Sequence, residues 1–457
     1  MAAYTHPAQT SRYDSADVDV SVLGEPIKLP FSGKVAKNRF LKAAMTERQS
    51  SWDQKDASKR GVPSESLINL YKAWGQGGFG IILSGNLIVD PYNLEAPGNT
   101  VLSKELANSE RLDAFKKLAA AAKADGSLFI VQVSHGGRQV AENLVSEPVS
   151  ASDVKLDDRM GMSFGKPRPL SVDDIKQVVQ HFADTAELSH QIGADGVQLH
   201  GAHGYLLAQF LASSTNKRTD QYGGSLENRS RIVVEIIEAI KARVPSTFSI
   251  SLKLNAVEFQ TGGFSTEDCA DLCAKLESLG VDWVELSGGT YEDIRFYDSE
   301  EEEANSKRES TKKREAFFLK FADIIRPQLK QTRVYVTGGF RTAEGMVRAV
   351  QHGSTEGIGL ARPAAEEPDL PKKILSGQVK AAVKTLLPPK DFGIQNVAAG
   401  TAMRQIGEAK TPTLNTGDGK HIEQFQKRAG EFFGQMGEEG QKGIVSAGYP
   451  AFDLVSA

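Results

Sequence analysis

Val197-Gln198-Leu199-His200-Gly201-Ala202-His203-Gly204-Tyr205-Leu206-Leu207 passes from an apolar strand directly into a cluster of two imidazoles and a phenol. A buried strand that ends in a polar turn is half of a βα unit. In a closed barrel of such units the active site is built where the strands end. Two imidazoles and a phenol at that point can polarise a carbonyl and deliver a proton, which marks His200, His203 and Tyr205 as catalytic candidates. A lone histidine at a strand end is more often structural; two with a tyrosine on one loop favour chemistry.

The same alternation repeats on both sides of this stretch. Short apolar runs predict strands over 40–45, 80–85, 128–133, 196–200, 249–254, 283–286, 334–337 and 357–360, each bounded by turn residues or charges. Helical periodicity lies between them, over segments such as 64–75, 171–191, 230–243, 266–279 and 342–352, and each of these opens on a Ser or Thr suited to an N-cap. Eight strand–helix repeats predict an α/β fold, a (β/α)8 TIM barrel in preference to an open sheet.

The chain divides into a polar leader over 1–20, the barrel over 21–386 and a Gly- and Lys-rich extension over 387–457 that packs on the barrel or serves assembly, a homo-oligomer being one form of it. The stretches 136–169 and 287–314 exceed a simple βα connection; the second carries Glu300-Glu301-Glu302-Glu303 and a basic cluster, read as a solvated excursion. Gly75-Gln76-Gly77-Gly78-Phe79-Gly80 has the spacing G-x-G-x-x-G, but it follows a helix and leads into a strand. That order is the reverse of a dinucleotide-binding turn, so a helix-ending turn is expected.

Composition narrows the function classes. With 457 residues, 40% hydrophobic and 25% charged, the chain can bury a large core. A net charge of -4 and the lack of a basic stripe argue against a nucleic-acid partner. Cys269 and Cys273 are too few for a disulfide framework or an iron–sulfur cluster and read as buried thiols of one helix face. No secretory leader or membrane-spanning run is evident, so a cytoplasmic protein is expected.

The other strand ends suggest what the barrel holds. Ala44-Met45-Thr46, Ser84-Gly85-Asn86 and Gln132-Val133-Ser134 offer small residues, hydroxyls and amides, which suits a flat ring with hydrogen-bonding positions along one edge. Gln132 can both donate and accept, although it could equally satisfy barrel backbone. Gly338 and Gly339 after the seventh strand, with Ala361-Arg362 after the eighth, place amides and a cation where barrels bind phosphate, though Gly-Gly is also ordinary turn chemistry. Lys253 sits in the apolar run Ser-Leu-Lys-Leu-Asn. Pointing inward without a counter-charge it should face a group that gains negative charge; pointing outward it would snorkel.

The succession continues through Gln209-Phe210-Leu211, Asn216-Lys217-Arg218-Thr219-Asp220, Tyr222-Gly223-Gly224-Ser225 and Glu227-Asn228-Arg229, and this order closely resembles the Old Yellow Enzyme family. Lys37-Asn38-Arg39 and the Gln132–Arg138 segment support the likeness, which spans roughly 24–375. The resemblance implies a barrel that holds FMN non-covalently, is reduced by NADPH or NADH and is reoxidised by an activated alkene. It further implies that Ala44, Met45, Thr46, Gly85, Gln132, Lys253, Gly338, Gly339, Ala361 and Arg362 surround FMN. On that likeness His200 and His203 hold the carbonyl or nitro oxygen of the substrate, and Tyr205 protonates the α-carbon as hydride reaches the β-carbon from the other face.

Three positions depart from the family pattern. Lys253 stands where Arg is usual, Ala361 where Gly precedes the phosphate Arg, and Thr46 where one branch has Cys. The cysteine cluster and second nucleotide domain of the dienoyl-thioester branch are missing. Two rival readings share the barrel: a flavin dehydrogenase or isomerase of one dedicated metabolite, and a phosphoryl-ligand-binding barrel without redox chemistry.

Overall fold

The computed structural model describes residues 10–159, 161–258, 261–288, 319–389 and 391–454. Eight parallel strands form the centre: β1 Phe40–Lys42, β2 Ile81–Leu83, β3 Leu128–Ser134, β4 Gly196–Gly201, β5 Ser249–Val257, β6 Trp283–Gly288, β7 Arg333–Thr337 and β8 Gly357–Leu360. Each pairs with the next in chain order, and β8 returns to β1, so the ring closes. All eight expected strands are present. The first is shorter than expected: regular pairing stops at Lys42, and only the Ala43 N–H continues it, donating to the Leu360 carbonyl at 2.9 Å.

Ser64, Ser171 and Thr342 cap their helices as expected, and Ser171 forms a full capping box with Asp174. Two starts are corrected. The helix Leu226–Lys241 begins a turn before Ser230 and is capped by Ser225, and Thr266–Ser278 is capped by Ser265 instead of Thr266. In both, an acidic residue follows the true cap within the first turn, where the helix dipole favours negative charge. Gly75–Gly80 is the helix-ending turn that its order predicts: the helix Glu65–Gly75 ends there and Gly78 has φ 90°.

Side chains alternate along a strand, so every second residue faces the barrel axis. Leu41, Ile81, Leu83, Leu128, Ile130, Trp283 and Tyr335 fill the lower interior, with Ile27, Leu29 and Ala36 of a small hairpin packed against them. Gly357 makes room for this layer, since a Cβ there would lie 2.0 Å from the Tyr335 ring. One step further along the same strands the interior becomes polar, with Gln132, Gln198, Lys253 and Glu285 all buried. Above these stand Ser134, His200, Asn255 and Ser287.

Beyond the barrel, the helices Phe392–Gly407 and Gly419–Gln441 form a small core of their own, in which Leu414, Phe425, Ala402 and Leu454 are buried. The first of them packs on the helix Glu65–Gly75. The 136–169 stretch is pinned by Arg138, which donates to the Val154 carbonyl at 3.0 Å, and by Ser150, which donates to Gln209 at 2.8 Å. The acidic and basic run expected within 287–314 lies outside the described residues.

Candidate active site

At the mouth of the barrel a line of hydrogen bonds runs from β3 to β6. Ser134 Oγ lies 3.2 Å from His200 Nδ1, His200 Nε2 lies 3.3 Å from His203 Nδ1, and His203 Nε2 lies 3.1 Å from Ser287 Oγ. His203 adopts a left-handed backbone, φ 61°, that a non-glycine residue enters only when held. Its N–H donates to Asn255 Oδ1 at 3.1 Å, and Asn255 in turn donates to Glu258 at 2.8 Å. That hold turns the second imidazole back toward the first.

Tyr205 completes the group. It caps the helix Leu206–Leu211 with extended backbone, and its ring lies 4.7 Å from that of His200, tilted by 49°. Burial and the nearby charge of Lys253 push His200 down to about 3, and the same causes with His200 itself hold His203 well below its ordinary value. Both imidazoles are therefore neutral near neutral pH, and each carries a single N–H. The sequence-predicted trio is thus brought together with two facing nitrogens and a phenol beside them.

Below them a second line crosses the barrel. Gln132 donates to Gln198 at 2.7 Å, Gln198 donates to Glu285 at 2.9 Å, and Lys253 donates to the other Glu285 oxygen at 2.8 Å. This corrects the expectation for Lys253. It does point inward, but Glu285, beside it in the β5–β6 register, already supplies its counter-charge. A buried ammonium without that carboxylate would carry a large desolvation cost, so a ligand is not needed to explain the lysine.

Around the rim, the Gly85 N–H is taken by Glu47 at 3.0 Å and Tyr71 at 2.8 Å. A Cβ on Gly85 would meet Glu47 at 1.9 Å, so the glycine serves this inner network first. Thr46 donates to Asn86 at 3.1 Å, and its carbonyl accepts from Tyr449 of the extension at 2.8 Å. Ala44 and Met45 are half-buried against the interior.

At the ends of β7 and β8, Gly338 and Gly339 take φ 141° and 80°, and Ala361 precedes the short helix Arg362–Glu366. Arg362 reaches Gln395 of the extension and packs near the Phe392 ring. With Arg341, Gln395 and Thr416 it lines a cavity, and Glu366, which borders the same space and accepts from Thr416, is pushed up to about 7 by burial.

The arrangement fits a flat ring and a phosphate. Gln132 keeps its carbonyl oxygen and one N–H beyond the bond to Gln198. Thr337 Oγ1 is buried without a partner among the described residues. Arg341 and Arg362 line one cavity beyond the last strands, and the imidazoles and phenol meet at the barrel mouth.

Sequence reasoning missed Gln198, Glu285, Asn255, Ser287 and the contribution of the extension. Glu285 was within reach, because a carboxylate inside Trp-Val-Glu-Leu poses the same cost as Lys253 inside its strand. Gln395 and Tyr449 lie in sequence whose pattern carries no sign of the rim they touch.

Residues 23–380 match the family described as NADH:flavin oxidoreductase / NADH oxidase. The chain is 45% identical over 397 residues to the NADH-dependent flavin oxidoreductase nadA of Aspergillus parasiticus, covering 86% of this chain and 88% of that one. It is 37% identical over 359 residues to the NADH-dependent flavin oxidoreductase iccE of Talaromyces variabilis, covering 75% and 84%. In structure it is similar to the old yellow enzyme homologue from Zymomonas mobilis, with TM-score 0.63 and 23% identity over 79% of this chain and 94% of that one. Morphinone reductase gives TM-score 0.62 and 23% identity over 79% and 90%, and these two likenesses establish the barrel. The match across most of its length, with the barrel and the mouth residues just described, makes this chain a member of the NADH:flavin oxidoreductase family, the group that includes the Old Yellow Enzymes, and hence an oxidoreductase.

Proposed function

We propose that this FMN-dependent NADH oxidoreductase is an ene-reductase acting on alkenes activated by a carbonyl or nitro group. The observation that carries the reading is the pair of facing nitrogens, His200 Nε2 and His203 Nδ1, 3.3 Å apart at the barrel mouth beside Tyr205. Bound FMN would supply the hydride-carrying chemistry that links nicotinamide oxidation to alkene reduction and that no side chain here offers. NADH is the expected reductant, because the relatives at 45% and 37% identity are named for it.

The chain's own residues do the rest. Once a substrate oxygen replaces the contact between the two imidazoles, Ser134 and Ser287 can each donate a hydroxyl proton to the outer nitrogen of their histidine, which leaves both inner nitrogens as N–H donors to that oxygen. Two such donors aimed at one oxygen favour the enolate-like charge that develops there over the neutral carbonyl, a differential effect of several kcal/mol in a site without water. Tyr205 stands beside them to protonate the α-carbon, giving trans addition. Gln132 faces the ring edge, and Ala44, Met45, Thr46 and Gly85 form one wall. Lys253 stands near the ring as half of an ion pair. Gly338 and Gly339 give amides, Ala361 leads into the turn, and Arg362 gives the cation for the phosphate. In this reading residues 21–386 are the flavin barrel and 387–457 extend its rim.

The test is to follow the two half-reactions separately under anaerobic conditions. NADH should bleach the flavin band, and simple enones or nitroalkenes should restore it at comparable rates. Slow return with every generic alkene, beside fast return with one metabolite, would instead support a dedicated dehydrogenase or isomerase.

A further inference from the structure

The polar layer inside the barrel has a direction. An ionised carboxylate only accepts hydrogen bonds, and Glu285 is held between the Lys253 ammonium at 2.8 Å and the Gln198 amide nitrogen at 2.9 Å. Gln198 must therefore turn its NH2 toward Glu285 and its carbonyl toward Gln132. That carbonyl needs a donor, so Gln132 turns its NH2 toward Gln198, at 2.7 Å. The Gln132 carbonyl and its second N–H are left to face away from the chain. Each of the four side chains is buried, so water cannot relax the order.

We propose that Glu285 is a positioning residue for the cofactor: acting through Gln198, its charge decides which end of the Gln132 amide meets the flavin edge. The inference rests on the assignment of Gln132 to that edge. A ring that alternates N–H and C=O reads the polarity of a facing amide, and a reversed amide sets donor against donor.

Two substitutions separate this from a packing role. In Glu285→Gln the new amide must keep an oxygen for Lys253, so it offers NH2 to Gln198. Gln198 then reverses, and Gln132 reverses with it. Adding Gln198→Glu restores an acceptor next to Gln132, and with it the original orientation and net charge. The measurement is FMN affinity of the apoprotein by quenching of flavin fluorescence. Glu285→Gln is expected to weaken binding by roughly ten-fold or more, the scale of one mismatched buried hydrogen bond. The double variant Glu285→Gln/Gln198→Glu is expected to recover most of the loss. Wild-type affinity in the single variant, or no recovery in the double, overturns the proposal. Should the single variant fail to fold, Gln198→Leu cuts the chain at the next link, and unchanged FMN affinity there overturns it equally. Wild-type apoprotein that binds no FMN refutes the flavin assignment itself, a result distinct from a bound flavin indifferent to Glu285.

Discussion

Tyr205 and the two histidines have separate tasks in the proposed reaction, so they should fail separately. Tyr205→Phe keeps the ring that packs 4.7 Å from His200 and removes only the hydroxyl that carries the proton. Rapid-mixing measurements should show flavin reduction by NADH unchanged and alkene reduction slowed by about 10²- to 10⁴-fold, the usual contribution of a general acid. Equal slowing of both halves would contradict the assignment. His200 offers a second test, through stability. Its folded-state value of about 3 lies below the ordinary histidine value, so between those limits the unfolded chain binds the extra proton. Stability therefore falls as pH drops through this window, by up to about 1.4 kcal/mol per pH unit for one imidazole. His200→Asn should lose unfolding free energy less steeply than wild type from pH 6.5 to 4 in urea titrations, and an identical slope would show that His200 is not buried neutral. The trio was legible in the sequence because two imidazoles and a phenol after an apolar strand have little structural use. The role of Lys253 was half legible: burial could be read from its apolar neighbours, but the partner that cancels its charge lies on the next strand, 32 residues away.

At the scale of elements, all eight strands could be read from short apolar runs, and the errors fell at boundaries. Ser225 and Ser230 are both plausible caps, and only the fold shows that the Ser225 side chain accepts from the Asn228 N–H. Harder to read was the order of layers inside the barrel. A strand covered on both faces looks uniformly apolar, which hides the period of two that sends Leu128, Ile130, Gln132 and Ser134 to the axis. Glycine on β8 is part of the same layering. Gly357→Ala should force the Tyr335 ring aside and cost about 1–3 kcal/mol in chemical denaturation, as overpacked cores do. A variant as stable as wild type would mean that the layer yields more easily than its contacts imply.

In the molecule as a whole the extension is the least predictable part and the most consequential for the rim. Its first helix brings Gln395 to Arg362, and the segment after its last helix brings Tyr449 to the Thr46 carbonyl and the Val445 carbonyl to Trp52, which donates to it at 2.8 Å. Nothing in its Gly- and Lys-rich pattern points to those contacts, because they depend on where the barrel ends in space. Arg48 lies 5.3 Å from the centre of the Tyr449 ring, a cation–π contact that adds to the hydroxyl hydrogen bond. Tyr449→Phe should keep the ring and lose one hydrogen bond, lowering stability by about 1 kcal/mol; an unchanged melting temperature would show that the contact adds nothing. For this chemistry, residues from β3, β5, β7 and β8 must surround one ring-and-phosphate molecule beneath the 200–205 turn. Titrating FMN into the apoprotein and following its visible spectrum tests that most directly. One equivalent should bind saturably, and a phenol added afterwards should perturb the flavin band in wild type but not in His200→Ala. A protein that takes up no FMN, or a bound flavin whose spectrum no phenol can alter, would contradict it.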